Sequence, residues 1–123
     1  MKKIYLAIPY SGMEESSFTQ ATKAAAILME SGVNVFSPIT HCHSIAVVGK
    51  LPGTWEFWEK IDRQFIDWCD EVWVLIPDEG IEKVENSTGV NAEIHYAKNI
   101  GKPVKFLERK IKVQEVYTFV KND

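Results

Sequence analysis

The chain alternates short apolar runs with longer segments whose apolar residues recur at helical spacing. The runs predict four strands, Ile4–Ile8, Val33–Phe36, Val72–Ile76 and Val104–Leu107, and the longer segments predict three helices, Ser17–Glu30, Trp55–Cys69 and Thr88–Ile100. This order predicts an α/β fold, with an open, mainly parallel sheet of four to five strands and helices on both faces, Rossmann-like or flavodoxin-like. The stretch from Lys112 to Phe119 predicts either one more strand or a short helix.

Size and charge limit the possible classes of protein. The 123 residues predict a single domain over 1–123, and 46% apolar with 25% charged residues is ordinary for a globular chain. The longest apolar run, Ala24–Met29, is far shorter than the roughly 20 residues of a membrane span. Pro9 ends the first apolar run too early for a signal peptide, so a cytoplasmic location is expected. A net charge of −3 argues against polymeric nucleic acid as a partner.

Prolines directly follow the first three predicted strands, at Pro9, Pro38 and Pro77. The segments after them should meet at the carboxyl edge of the sheet, where open α/β sheets bind their ligands. One of these segments, Pro38–Thr54, has 17 residues and predicts a long functional loop that carries His41 and His43.

Asp62 is the most informative single residue. At about 100° per residue, it lies within the apolar arc of its helix, between residues such as Trp58, Phe65 and Ile66. One interpretation is a structural carboxylate satisfied by a backbone N–H or a tyrosine hydroxyl. The other, which we favour, is an acid or base with a raised pKa, because burial disfavours the charged carboxylate.

The start of the third predicted helix forms a second candidate site. Ser87 or Thr88 can cap this helix, its free N–H groups can bind an anion, and Gly89 permits close approach of a ligand. Glu93 lies beside the buried stripe and is predicted to stay ionised near the helix N-terminus, as a nucleophile does. An ordinary boundary glutamate is an equally good interpretation from the spacing alone.

Two further patterns suggest ligand sites. The sequence His41-Cys42-His43 suggests metal, but strand-like alternation would direct Cys42 away from both histidines, and no third ligand follows. We therefore expect no metal and no cofactor. Trp55 or Trp58, at the start of the second predicted helix, can stack on a base.

Several stretches together resemble the nucleoside 2-deoxyribosyltransferase superfamily. They are Ile4–Pro9, Asp62 with Cys69-Asp70, the block Ser87–Ala97 that contains Glu-x-x-Tyr-Ala, and Gly101-Lys102-Pro103-Val104. The resemblance runs from Lys3 to about Leu107. Ser37–Ser44 and the Trp55-x-x-Trp58 pair are most similar to a bacterial and phage branch of that superfamily.

The resemblance implies chemistry at C1′ of a nucleoside or nucleotide. It implies that Glu93 attacks C1′ to form a glycosyl-enzyme, that Asp62 protonates or positions the departing base, and that Tyr5 orients Glu93. It also implies substrate contacts from His41, Trp58, Gly89 and Asn91. Related enzymes assemble as dimers or larger, so a homodimer or larger homo-oligomer is expected.

Ser87 departs from the pattern of enzymes that act on free nucleosides, which carry an aspartate six residues before the nucleophile. A serine there resembles hydrolases of nucleoside 5′-monophosphates, because its hydroxyl can meet the phosphate. The loop after the first strand lacks the arginine of those hydrolases, so Ser11, Gly12 and Ser87, together with either His43 or Lys50, would have to bind the phosphate.

The sequence thus predicts an N-glycosidase that hydrolyses a (deoxy)nucleoside 5′-monophosphate through a glutamate nucleophile. Two alternatives stay open. One is a nucleoside 2-deoxyribosyltransferase that exchanges bases, and the other is a non-catalytic nucleotide-binding sensor or sponge.

Overall fold

A computed structural model describes residues 1–111 and 113–120 and contains one five-stranded sheet. The strands are β1 (Lys3–Ala7), β2 (Asn34–Phe36), β3 (Glu71–Leu75), β4 (Val104–Ile111) and β5 (Glu115–Phe119). Their order across the sheet is β2-β1-β3-β4-β5, and every neighbouring pair is parallel except β4 with β5. This is the flavodoxin-like order, and it confirms the predicted mainly parallel α/β sheet.

Helices cover both faces of the sheet, as predicted. They are α1 (Glu14–Glu30), α2 (Pro38–Gly49), α3 (Trp55–Trp68), α4 (Ile81–Glu85) and α5 (Thr88–Asn99). Side chains alternate along β1, so Ile4 and Leu6 pack with α1 in one core cluster, and Tyr5 and Ala7 face the cluster that includes α3 and α5. Within the part of the chain that the structure describes, no helix is long and apolar enough to cross a membrane.

The predicted loop over Pro38–Thr54 is wrong, because its first twelve residues form α2. The Ser37 side chain caps the helix by accepting a hydrogen bond from the Thr40 N–H, and Pro38 occupies the first turn, where its missing N–H does no harm. The helix ends at Gly49, and its C-cap residue Lys50 has a left-handed φ of 53°. The segment lacks a clear apolar period, since its exposed side also carries apolar residues such as Val47 and Val48.

The C-terminal stretch forms a strand rather than a helix. β5 pairs antiparallel with β4, placing Phe119 opposite Leu107 at one end and Glu115 opposite Ile111 at the other. The Phe119 ring also packs edge-on against Trp73, with 4.9 Å between ring centroids. Lys112, where the undecided segment was predicted to begin, lies outside the described residues.

Candidate active site

A cavity of about 510 Å³ opens at the carboxyl edge of the sheet. Its walls come from the segment after β1 and from α2, α3, α4 and α5, and they include Tyr10, Ser11, Cys42, His43, Trp55, Trp58, Asp62, Lys83, Ser87, Gly89 and Glu93. A volume of this size is typical of sites that enclose a small organic ligand. The segments after the predicted strands therefore meet as the proline positions led us to expect.

Glu93 and Tyr5 form a buried pair beneath this cavity. Tyr5 is in the middle of β1 and is fully buried, and its hydroxyl donates a hydrogen bond to Oε2 of Glu93. Glu93 follows the first turn of α5 and is 6% exposed. The contact fixes the orientation of the Glu93 carboxylate while the residue remains part of the cavity wall.

Asp62 lies on the buried face of α3 and also lines the cavity. Its Oδ1 is buried and has no hydrogen-bond partner among the described residues. Burial raises the pKa of Asp62 to about 7. Glu71 shows the opposite case, since hydrogen bonds from Lys2 and Trp73 lower the pKa of its buried carboxylate to about 2. A structural carboxylate in this chain is thus well paired, whereas Asp62 is left free toward the cavity.

The structure contradicts the prediction that the start of α5 keeps Glu93 ionised. Burial and the neighbouring charge of Asp62 raise the pKa of Glu93 to about 8, and the hydrogen bond from Tyr5 only partly opposes this rise. Glu93 lies beyond the first turn of α5, where the influence of a helix N-terminus has already declined. The two carboxyl groups therefore retain a proton between them at neutral pH.

This retained proton predicts an unusual dependence of stability on pH. Because the pKa values of Asp62 and Glu93 lie well above their ordinary values of 3.8 and 4.5, the folded chain binds more protons than the unfolded chain between about pH 4 and 8. The free energy of unfolding should fall as pH rises through that window. At pH 8 the free energy of unfolding of Glu93→Gln should exceed that of the wild type by roughly 2–4 kcal/mol. At pH 4 the two values should differ little.

Urea unfolding of wild type and Glu93→Gln at both pH values measures this effect. Glu85→Gln, which removes an exposed carboxylate from α4, is the matched control and should change neither value. Equal stabilities of the wild type and Glu93→Gln at pH 8 would show that Glu93 is ionised without penalty in the folded chain.

Five of the eight residues predicted to bind substrate line the cavity, namely Ser11, His43, Trp58, Ser87 and Gly89. Ser87 caps α5 by accepting from the Val90 N–H, as expected of Ser87 or Thr88.

The other three predicted substrate contacts lie outside the described cavity walls. Gly12 has a left-handed φ of 84° and donates its N–H to Glu14 within the turn before α1. His41 is exposed on α2, since consecutive residues of a helix point about 100° apart and its neighbours Cys42 and His43 are the ones that line the cavity. The Asn91 amide donates to three backbone carbonyls before and at the start of α5, so it braces that turn.

Sequence reasoning missed several residues of the cavity wall. Tyr10 follows Pro9 at the end of β1 and could have been found from that position. Cys42 could have been found from the Ser-Pro start of α2, and burial raises the pKa of its thiol to about 11. Lys83 comes from α4, a five-residue helix that carries no readable periodicity.

Comparisons with known proteins agree with this architecture. The family model described as "Domain of unknown function (DUF1937)" matches residues 2–109. Among solved structures, the chain is similar to the 2-deoxyribosyltransferase from the psychrotolerant bacterium Bacillus psychrosaccharolyticus, with a TM-score of 0.56 and 30% identity, covering 86% of this chain and 72% of that one. No curated protein sequence matches. The chain therefore belongs to the DUF1937 family and to the nucleoside 2-deoxyribosyltransferase-like superfamily.

Proposed function

We propose that this protein transfers a 2-deoxyribosyl group from one nucleoside base to another through a covalent intermediate on Glu93. The observation that carries the proposal is the grouping of two buried carboxyl groups, Glu93 and Asp62, in one ligand-sized cavity, with Tyr5 bonded to Glu93. The similarity to a 2-deoxyribosyltransferase supports transfer over hydrolysis.

The reaction divides into two balanced steps. An oxygen of Glu93 attacks C1′ and forms an ester while the bond between C1′ and the base nitrogen breaks, and Asp62 donates its proton to the departing base. A second base then attacks C1′ with its nitrogen and gives a proton back to Asp62. The ester bond breaks, and Glu93 is released as a carboxylate.

These steps need a bound substrate to set the protonation of Glu93 and Asp62. Glu93 must be ionised and Asp62 protonated, although burial raises the pKa of Glu93 to about 8 and that of Asp62 to about 7. Positive charge that develops at C1′ stabilises the Glu93 carboxylate. The protonated Asp62 carboxyl, whose Oδ1 has no partner among the described residues, can donate its hydrogen to a nitrogen of the base. Tyr5, as a donor to Glu93, favours the same arrangement.

A second candidate is hydrolysis of a nucleoside 5′-monophosphate. It is favoured by the cavity wall around the start of α5, to which Ser87 and Lys83 both contribute. A hydroxyl and an ammonium group beside free helix N–H groups suit a phosphate. In this case water takes the place of the second base.

An assay of free-base release separates the two candidates. The panel contains the common ribo- and 2′-deoxynucleosides and their 5′-monophosphates, each with and without a second base. Base exchange that needs the second base supports the transferase. Release without it, only from monophosphates, supports the hydrolase.

Ser87 provides a sharper test of the substrate class. Asparagine and aspartate both cap helices well, so Ser87→Asn and Ser87→Asp differ mainly in one negative charge. We expect Ser87→Asp to lower monophosphate turnover more than about tenfold relative to Ser87→Asn, because a phosphate carries about −1.5 to −2 charges. Turnover of the free deoxynucleoside should stay within about threefold. Equal losses on both substrates, measured by steady-state kinetics, would mean that Ser87 serves only as a cap.

The homo-oligomer implied by the resemblance is also a proposal. Its support in the structure is the group of exposed apolar side chains on α2, where Ile45, Val47 and Val48 are 49%, 58% and 83% exposed. Exposed apolar residues grouped on one helix are typical of surfaces that bind another protein chain.

A further inference from the structure

A chain of hydrogen bonds connects one end of the cavity to the protein surface and has no part in the steps above. The Tyr10 hydroxyl lies 2.7 Å from Nδ1 of His43, and Nε2 of His43 lies 3.0 Å from Oε1 of Glu15. Tyr10 and His43 both line the cavity, whereas Glu15 belongs to the first turn of α1. Three separate elements thus contribute one residue each.

Packing holds the His43 imidazole, the middle group of these hydrogen bonds, in place. His43 is 6% exposed, and the Phe18 ring stacks on it with 4.7 Å between centroids. The Tyr10 ring packs edge-on against the same imidazole, with 5.7 Å between the centroids of Tyr10 and His43. The imidazole therefore has one orientation, with each nitrogen committed to one partner.

These partners determine where the hydrogens lie. The Glu15 side chain is 84% exposed, and a carboxylate only accepts hydrogen bonds. Nε2 of His43 must then carry a hydrogen. In the neutral imidazole, Nδ1 is left as an acceptor and takes the hydrogen of the Tyr10 hydroxyl. The Tyr10 oxygen then has only lone pairs to offer to the cavity.

We infer that Tyr10 is a specificity-determining residue that accepts a hydrogen bond from a hydroxyl group of the substrate, with His43 and Glu15 as positioning residues that fix its polarity. This inference rests on the proposed function, under which the hydroxyl belongs to the sugar of a free nucleoside. A phosphate at the same place offers only acceptor oxygens, so it meets the Tyr10 lone pairs unfavourably. The chain of residues thus selects hydroxyl over phosphate while His43 is neutral.

The first experiment reads the hydrogen positions without any substrate. Nitrogen-15 NMR of the histidine ring in the wild-type protein at pH 8 should show His43 with hydrogen on Nε2, and Glu15→Gln should show a mixture, because a glutamine amide can also donate to Nε2. Hydrogen mainly on Nδ1 in the wild type would overturn the inference, whatever the protein catalyses.

The second experiment measures binding at pH 8 in a Glu93→Gln background, so that it does not depend on turnover. The probes are 2′-deoxynucleosides with the four common bases and the corresponding 5′-monophosphates. Calorimetry measures the affinity of each probe. Tyr10→Phe and Glu15→Gln should each lower the ratio of nucleoside to monophosphate affinity about three- to tenfold, the effect of one hydrogen bond. Glu14→Gln removes a charge from the same turn of α1 without touching His43 and should leave the ratio unchanged.

The outcomes distinguish the role of Tyr10 from the proposed transferase activity. An unchanged ratio in Tyr10→Phe, or equal losses on both probes, would overturn the role of Tyr10. A changed ratio in a protein that releases no base from any substrate would support Tyr10 as the selector and reject the transferase.

Discussion

Glu93→Gln is expected to lower turnover at least about 10³-fold while leaving nucleoside binding nearly intact. Glutamine keeps the shape of the side chain and can still accept the hydrogen bond from Tyr5, so the fold and the cavity should be preserved. It lacks the carboxylate that must bond to C1′, and no other carboxyl group in the cavity is held by Tyr5. Steady-state kinetics on the best substrate of the panel, together with calorimetric binding, measures both expectations.

Two comparisons make this result decisive. Glu85→Gln, which changes an exposed residue of α4, should retain full turnover. Mass spectrometry of the wild type mixed with substrate should show an added 2-deoxyribosyl mass that is absent from Glu93→Gln. Wild-type binding without turnover would support the non-catalytic sensor or sponge, and near-normal turnover in Glu93→Gln would remove Glu93 from the mechanism.

The fold was predictable because its signals are local. Apolar runs alternate with amphipathic segments along the chain, and the prolines after β1, β2 and β3 mark the edge where the cavity lies. The helix α2 was not predictable from periodicity, because apolar residues occupy its exposed side as well as its buried side. Only its start, Ser37-Pro38, carries a readable signal.

The site was predictable where one helix determines the environment of a residue. Asp62 is buried because of its position on the face of α3, and that position can be read from the sequence. The raised pKa of Glu93 depends on burial by other elements and on Asp62, so the start of α5 alone was misleading. The contacts of His43 with Tyr10 and Glu15 join residues 33 and 28 positions apart, which no spacing rule reveals.

Asp62→Asn is expected to lower turnover about 10²–10⁴-fold, the usual contribution of a positioned general acid. Asparagine has nearly the same shape but cannot give a proton to the departing base. The loss should be much smaller for a deoxynucleoside whose purine is methylated at N7, because that base leaves without needing a proton. Asp67→Asn, an exposed aspartate on the same helix that can still accept from Tyr96, is the control and should behave like the wild type.

The pH dependence of turnover tests the same role independently. Burial raises the pKa of Asp62 to about 7 and that of Glu93 to about 8, so raising the pH through this range removes the proton that the two groups retain. Wild-type turnover of an unmethylated substrate should therefore fall on the alkaline side, and Asp62→Asn should lack this fall because the asparagine side chain does not ionise. Carbon-detected NMR titration should place the Asp62 carboxyl well above its ordinary range. An ordinary or lowered pKa, or equal losses on methylated and unmethylated substrates, would make Asp62 a structural residue and leave protonation of the base to another group.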